Sequence, residues 1–142
     1  MIVYDDKDDN ETSQKSIPQS SCKAHEYEIT VRMSDKFFSG TNDKVEIRLY
    51  GRNGEITEWF ELTKPSHDGF ERLSQDMYRV KTQKRPEAIG RLEKIGIRKF
   101  GSDSMMINEI LIRSNHKSMV FQVRQWINTD TIEHTFELAY EY

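Results

Sequence analysis

Apolar and polar residues alternate with a period of two along most of the chain after position 26. The apolar positions of these runs are Tyr27, Ile29, Val31 and Met33; Val45, Ile47 and Leu49; Tyr78 and Val80; Ile95 and Ile97; Ile110 and Ile112; Phe121 and Val123; and Phe136, Leu138 and Tyr140. A period of two is typical of half-buried β-strands, and no sustained helical period of 3.6 is present. The pattern therefore predicts an all-β chain.

Turn residues separate these runs at intervals of roughly 10–15 residues, a spacing that favours a sandwich or a barrel. Asn53-Gly54 predicts a hairpin turn between the second and third strands, because both residues tolerate positive φ. Residues 86–94 predict one short helical turn, although Gly90 lies within it.

The first 24 residues differ from the rest of the chain in composition. They are acidic and rich in Ser and Gln, contain Pro18 and show no periodicity. This composition predicts a disordered tail or linker over residues 1–24. The remaining residues, 25–142, are long enough to form one domain with its own core.

Charge and cysteine content exclude several classes of protein. The formal net charge is −3, of which five acidic and three basic residues in the tail contribute −2, leaving −1 for the domain. Such a balance excludes a strongly basic nucleic-acid binder. The single cysteine, Cys22, forms no intramolecular disulfide and favours a reducing compartment. No apolar run approaches the roughly 20 residues that a membrane-spanning helix needs.

The sequence contains no constellation of catalytic type. The histidines, His25, His67, His116 and His134, are scattered and never pair at metal-ligand spacing. No G-x-S-x-G motif is present, and Cys22 lies in the tail. We therefore expect that the chain is not an enzyme.

The stretch from Gly40 to Asp76 resembles the signature of the PLAT (LH2) domain, a module of polycystins, lipoxygenases, lipases and clostridial α-toxin. The matching parts are Gly40-Thr41, residues 47–51, Glu58-Trp59, residues 70–72 and Asp76, with residues 92–98 and 121–126 matching later strands. The resemblance implies an antiparallel β-sandwich of two four-stranded sheets. Two residues depart from the family pattern: Val123 stands at a usual cysteine position, and Leu73 replaces a glycine, which implies a different turn there.

The resemblance also implies that two loops at one end of the sandwich contact a membrane. Both loops place aromatic residues beside basic ones, and the residues concerned are Lys36, Phe37, Phe38, Arg98, Lys99 and Phe100. Burying a Phe contributes roughly 1.5–3 kcal/mol, and a Lys or Arg near an anionic surface contributes about 1 kcal/mol. The alternative is that Phe38 and Phe100 close the end of the core.

The resemblance also implies a calcium-binding site. Transferred position by position, the oxygen donors are the carbonyl of Gly40 and the side chains of Thr41, Asn42, Asp68 and Asp103. Phe38, Thr63, Lys64 and Ser104 stand where other members carry ligands, so the predicted site is partial. The alternative is that Asp68, Asp76 and Asp103 cap turns through backbone N–H groups.

Two further features allow a functional and a structural interpretation. A basic stretch either binds phosphoinositide or phosphatidylserine headgroups or is a solvated loop; its members are Lys81, Lys84, Arg85, Arg91 and Lys94. Trp59 and Trp126 match family positions, and we expect both to pack in or against the sandwich.

Residues 127–139 resemble the end of the domain in polycystins, which implies a location on the cytoplasmic face of a membrane within a larger membrane protein. The leading hypothesis is a non-catalytic module that binds an anionic phospholipid surface, with Ca²⁺ assisting. Two alternatives remain open: a protein–protein interaction module, and the accessory domain of a lipase or lipoxygenase.

Overall fold

The computed structural model describes residues 26–35, 43–63, 70, 74–114, 116–128 and 131–142. The predicted tail therefore lies outside the described residues. Within them are nine strands and one helix: β1 (Glu26–Met33), β2 (Lys44–Gly51), β3 (Phe60–Glu61), β4 (Gln75–Lys81), α1 (Pro86–Ile89), β5 (Leu92–Phe100), β6 (Met105–Ser114), β7 (Lys117–Ile127), β8 (His134–Glu137) and β9 (Tyr140–Glu141). In the part of the chain described, no helix is long and apolar enough to span a bilayer.

The strands form two antiparallel sheets, packed as a sandwich. One sheet has the order β4-β1-β6-β7-β9 and the other the order β3-β2-β5-β8. The inner faces carry the alternating apolar residues predicted from the sequence; Ile29, Leu49 and Phe121, for example, are fully buried. The β-sandwich prediction is confirmed, with five strands in one sheet and four in the other.

The fifth strand arises because the chain crosses between the sheets near its C-terminus. The alternation of Phe136, Leu138 and Tyr140 predicts one final strand, but the structure divides it into β8, beside β5, and β9, beside β7. At the crossing, the Leu138 amide donates to the Glu93 carbonyl at 2.8 Å, and the Ala139 amide donates to the Val120 carbonyl at 2.9 Å. The crossing segment is thus hydrogen-bonded to both sheets.

The turn predicted from Asn53-Gly54 is present after β2. The Gly54 amide donates to the Gly51 carbonyl at 3.2 Å, and the Gly51 amide donates to the Glu55 carbonyl at 2.8 Å. Gly54 has a φ of 81°, the left-handed conformation that glycine adopts without steric cost. The helical turn predicted within residues 86–94 is also present, as α1, and it ends where the Gly90 amide donates to the Pro86 carbonyl at 2.9 Å.

Gly51 of β2 packs directly against Ile89 of α1. A Cβ atom added to Gly51 would lie 2.0 Å from the carbonyl oxygen of Ile89, a backbone atom that cannot rotate away. We expect Gly51→Ala to lower the free energy of unfolding by about 1–3 kcal/mol, because the helix must move off the sheet. Urea denaturation followed by tryptophan fluorescence measures this change.

Gly54→Asn is the control for that substitution. No atom lies within 4 Å of a Cβ built on Gly54, and Asn tolerates positive φ better than other side chains. We expect a loss below about 1 kcal/mol. Equal losses in the two variants would show that the approach of α1 to Gly51 is not the limiting contact.

Candidate functional site

Three of the predicted membrane-contacting residues lie at the end of β5. Arg98, Lys99 and Phe100 were expected in a loop, but all three pair with β2 and belong to the strand. Residues of a strand alternate between its two faces. Arg98 and Phe100 therefore lie on the outer face of the four-stranded sheet, whereas Lys99 points inward.

Lys99 does not reach the surface, which corrects its predicted role in membrane contact. Its side chain is 0% exposed, and its Nζ lies 2.6 Å from Oδ2 of Asp43, directly before β2. The same oxygen accepts a hydrogen bond from the Asp103 amide at 2.7 Å. A Cβ on Gly101, whose φ is 119°, would lie 2.2 Å from Asp43 Cγ. Glycine thus allows the loop after β5 to close over the ion pair of Lys99 and Asp43.

Phe100 lies between two cations on the outer face. Lys44 Nζ is 5.0 Å from the centre of the Phe100 ring, and Arg98 Cζ is 5.3 Å from it. The Lys44 side chain is 47% exposed and that of Arg98 30%. Both cations also contact Glu46, Lys44 at 3.5 Å and Arg98 at 2.7 Å. This end of the sheet therefore presents an aromatic ring with two cations and one compensating carboxylate.

The same alternation of cations and rings continues along the sheet and includes Trp59. Arg98 Cζ lies 4.0 Å from the Trp59 ring and Arg48 Cζ lies 4.5 Å from it, while Lys94 Nζ and Arg48 Cζ lie 4.8 and 5.5 Å from the ring of Tyr50. We call this surface the cation–aromatic row; its members are Lys44, Phe100, Arg98, Trp59, Arg48, Tyr50 and Lys94. Each exposed contact of this kind contributes about 0.5–1 kcal/mol.

Glu133 pairs with two members of the cation–aromatic row, Arg48 and Tyr50. Its carboxylate accepts hydrogen bonds from Arg48 Nη2 at 2.7 Å and Nε at 3.2 Å, and from the Tyr50 hydroxyl. The bonds from Arg48 hold the pKa of Glu133 below its usual value, against the opposing effect of burial. Gly96 makes room for it, since a Cβ there would lie 1.9 Å from Glu133 Oε2. Glu133 was not predicted as a site residue, because its partners lie 83 and 85 residues away in sequence.

Comparison with known proteins places this architecture in a family. The PLAT/LH2 domain model matches residues 27–138, more than half of the chain. The chain belongs to the PLAT/LH2 domain family. The resemblance identified from residues 40–76 is therefore confirmed.

The PLAT domain is similar in sequence to one mouse (Mus musculus) protein, lipoxygenase homology domain-containing protein 1. The two are 25% identical over 126 residues, which cover 84% of this chain but 6% of that protein.

Solved structures show the same fold. Coral 8R-lipoxygenase, described as activated by calcium through a C2-like domain, superposes with a TM-score of 0.69 at 22% identity, covering 80% of this chain and 17% of its own. The α-toxin of Clostridium absonum superposes with a TM-score of 0.64 at 17% identity, covering 87% of this chain and 33% of its own. At these identities the likeness establishes the fold alone. The PLAT domain corresponds to a minor part of each of these proteins.

The described residues of the PLAT domain do not by themselves fit a calcium ion. Of the predicted donors only Asp103 is described, and it is exposed at the end of the sandwich that carries Phe100. Asp43 is nearby, but its carboxylate already binds the Lys99 ammonium and the Asp103 amide. No group of three or more His, Cys, Asp or Glu residues is placed to hold a metal within the described ranges. The other predicted donors, Gly40, Thr41, Asn42 and Asp68, lie outside the described residues, as do Lys36, Phe37 and Phe38.

Three members of the predicted basic stretch have partners on the surface of the domain. Lys94 lies over Tyr50 in the cation–aromatic row, Lys84 pairs with Glu55, and Arg91 Nε lies 2.9 Å from Glu141. Glu55 and Glu141 thus balance the charges of Lys84 and Arg91.

The two tryptophans differ in their surroundings. Trp59 is half-buried beneath Arg48 and Arg98, so its predicted packing against the sandwich is found. Trp126 pairs with Met106 across β6 and β7 but remains 38% exposed.

Glu133 makes the stability of the domain depend on pH. Its pKa is lower in the folded chain than its ordinary value of 4.5. Its contribution to stability is therefore complete above that ordinary value and is lost as the pH falls through the folded pKa. We expect Glu133→Gln to lower stability at pH 7 and to flatten its decline below about pH 5, as measured by urea denaturation at several pH values. Glu137→Gln, an exposed change on β8, is the control, and an unaltered pH slope in Glu133→Gln would contradict this assignment.

Lys99→Met tests the buried ion pair. The change leaves the carboxylate of Asp43, 16% exposed, without its cation, and we expect a loss of about 3–5 kcal/mol in the free energy of unfolding. Lys44→Met, which removes an exposed cation and its contact with Phe100, is the matched control with an expected loss of at most about 1 kcal/mol.

The double variant Lys99→Met/Asp43→Asn separates the ion pair from simple packing. It should recover at least about 1 kcal/mol of the loss, because no unpaired charge remains. A single Lys99→Met variant as stable as the parent protein would show that the pair does not organise this end of the domain.

Proposed function

We propose that this PLAT domain is a non-catalytic module that docks on an anionic phospholipid surface through the end of the sandwich that carries Phe100. The observation that supports it is the arrangement of Phe100 between Lys44 and Arg98, at the point where β2 begins and β5 ends. An aromatic ring flanked by cations suits the boundary between acyl chains and anionic headgroups.

The proposed contact combines described and undescribed residues. Of the residues predicted from the sequence to contact the membrane, Arg98 and Phe100 are retained, and Lys99 is removed because it is buried. Lys44, which is exposed beside Phe100, is added. Lys36, Phe37 and Phe38 belong to the proposal by sequence alone. With roughly 1.5–3 kcal/mol for each inserted Phe and about 1 kcal/mol for each cation, the docking is reversible after association costs.

Ca²⁺ assists the docking in this proposal. The similar fold of coral 8R-lipoxygenase, with its calcium activation through a C2-like domain, supports a role for the ion. Its donors here would be Gly40, Thr41, Asn42 and Asp68 together with Asp103. Because the Lys99 ammonium already balances Asp43, we propose that Ca²⁺ strengthens the docking without being required for it.

Protein binding is the second candidate function, and the cation–aromatic row favours it. Trp, Tyr and Arg are the residue types that dominate binding energy at protein interfaces, and Trp59, Tyr50, Arg48 and Arg98 meet on one sheet face. We place the domain, under either function, within a larger protein: a polycystin-like membrane protein with the domain on the cytoplasmic face, as residues 127–139 imply, or a lipase or lipoxygenase that it serves as an accessory.

Sedimentation with vesicles tests the proposed docking. We expect the domain to bind vesicles containing phosphatidylserine in EGTA, with tighter binding when Ca²⁺ is added. Phe37→Ala/Phe100→Ala should weaken binding at least about tenfold, since two aromatic insertions are lost. Tyr142→Ala, which removes a 68% exposed aromatic ring at the other end of the sandwich, is the matched control.

The outcomes separate the two candidate functions. Unchanged vesicle binding by the Phe37→Ala/Phe100→Ala variant would overturn docking through this end of the sandwich. Complete loss of vesicle binding in EGTA would overturn the proposal that docking does not require Ca²⁺. Absence of vesicle binding, together with a protein complex that Trp59→Ala disrupts, would favour the interaction module.

A further inference from the structure

The outer face of the five-stranded sheet carries a row of mainly apolar residues that crosses all five strands. Residues that face each other in neighbouring antiparallel strands point to the same side of the sheet. We call one such line of partners the apolar row; in the order β4-β1-β6-β7-β9 its members are Met77, Thr30, Leu111, Val120 and Tyr140. Met77 and Tyr140, at its two edges, are 42% and 50% exposed. Between them Thr30 and Leu111 are half-buried, and Val120 is covered.

Two rows of charged residues border the apolar row, one on each side. In the first charged row Glu28 lies between Arg79 and Arg113, with nitrogen–oxygen distances of 3.5 and 3.7 Å. In the second charged row Arg32 pairs with Glu109. The arginine side chains are 40–41% exposed, whereas the two carboxylate side chains are 10% and 14% exposed. On β1 and β6 the first charged row therefore reads anion then cation, and the second reads cation then anion.

The two charged rows are complementary to each other. When a second copy is turned by 180° about an axis along the apolar row, each charged row meets the other charged row of the partner. Glu28 then faces the partner's Arg32, and Arg113 faces the partner's Glu109. An axis along the strands would instead place Arg113 on the partner's Arg113 and Glu109 on the partner's Glu109, because both lie on the middle strand, β6. Opposite charges favour a partner and like charges exclude it, so the charges select the axis along the apolar row.

The shape of the sheet suits the same arrangement. A twisted sheet that is turned about an in-plane axis perpendicular to its strands keeps its twist, so the two surfaces remain parallel to each other. Aligned sheets of this kind pack about 10 Å apart in β-sandwiches. Five strands about 4.8 Å apart and three rows about 7 Å apart cover on the order of 400 Å² per copy. Interfaces of this size are at the small end of specific contacts, so the contact is weak and reversible.

We propose that the five-stranded sheet binds a second copy of this domain face to face, about a two-fold axis along the apolar row. On this axis Met77 contacts the partner's Met77, and Leu111 contacts the partner's Leu111. The arginines, which are the more exposed members of the charged rows, reach across to the partner's carboxylates. This contact is independent of docking on a membrane, because Phe100 and the cation–aromatic row belong to the other sheet.

Sedimentation equilibrium of the 142-residue chain tests this interface. We expect a reversible monomer–dimer equilibrium with a dissociation constant on the order of 100 μM. Met77→Glu and Met77→Lys should each weaken the dimer at least about tenfold, because each places two like charges together on the axis. An equimolar mixture of the two variants should associate about as tightly as the parent chain, since a carboxylate and an ammonium then meet across the axis. Met77 is 42% exposed, so both variants retain the fold.

Two controls distinguish this sheet face from the other surfaces. Ile56→Glu places the same charge at a 50% exposed apolar residue between β2 and β3, and it should leave the dissociation constant unchanged. Trp59→Ala, which alters the cation–aromatic row, should also leave it unchanged. A chain that stays monomeric up to about 1 mM, or a Met77→Glu variant that dimerises like the parent, would overturn the proposal. A mixture of the Met77 variants no tighter than either alone, or loss of the dimer in either control, would overturn it equally.

Discussion

The antiparallel register of β2 against β5 determines what the four-stranded sheet presents to its surroundings. Val45 faces Lys99, Glu46 faces Arg98 and Lys44 faces Phe100. A shift of one residue would turn each side chain to the opposite face, which would bury Arg98 and expose Lys99. The ion pair of Lys99 with Asp43 favours this register, because only this register points Lys99 inward toward Asp43. The cation–aromatic row is a consequence of the same register.

The buried polar groups at the two ends of the sandwich differ in whether a hydrogen-bond partner is present. At one end the Lys99 ammonium has a carboxylate within 2.6 Å, and that carboxylate also receives a backbone amide. At the other end the Tyr27 hydroxyl has no partner among the described residues. A satisfied buried group makes a structure rigid and unique, whereas an unsatisfied one lowers the stability of the fold. The first arrangement is satisfied by the fold itself, and the cost of the second is offset by the rest of the core.

The sequence predicts the strands well, because alternation is a local property. It predicts Gly54 at a turn and the single turn of α1 for the same reason. It fails where a contact joins distant residues. Arg98 and Lys99 were assigned to a loop because an inward-facing lysine breaks the apolar alternation of β5, and only Asp43, 56 residues away, accounts for it. Tyr27 is predicted in the core by its position, yet no sequence pattern shows that its hydroxyl lacks a partner.

The positions at which the chain enters and leaves the domain have a mechanical consequence. Glu26 begins β1 beside Lys81, and Tyr142 exchanges two hydrogen bonds with Ser118, so both ends of the described domain lie away from Phe100. Any polypeptide that continues from either terminus therefore leaves the domain at the same end of the sandwich. The end that carries Phe100 has neither connection. A pull on the chain beyond Tyr142 would act directly on β9, a strand of two residues that pairs with β7, whereas a pull before Glu26 would act on β1, which pairs with two strands.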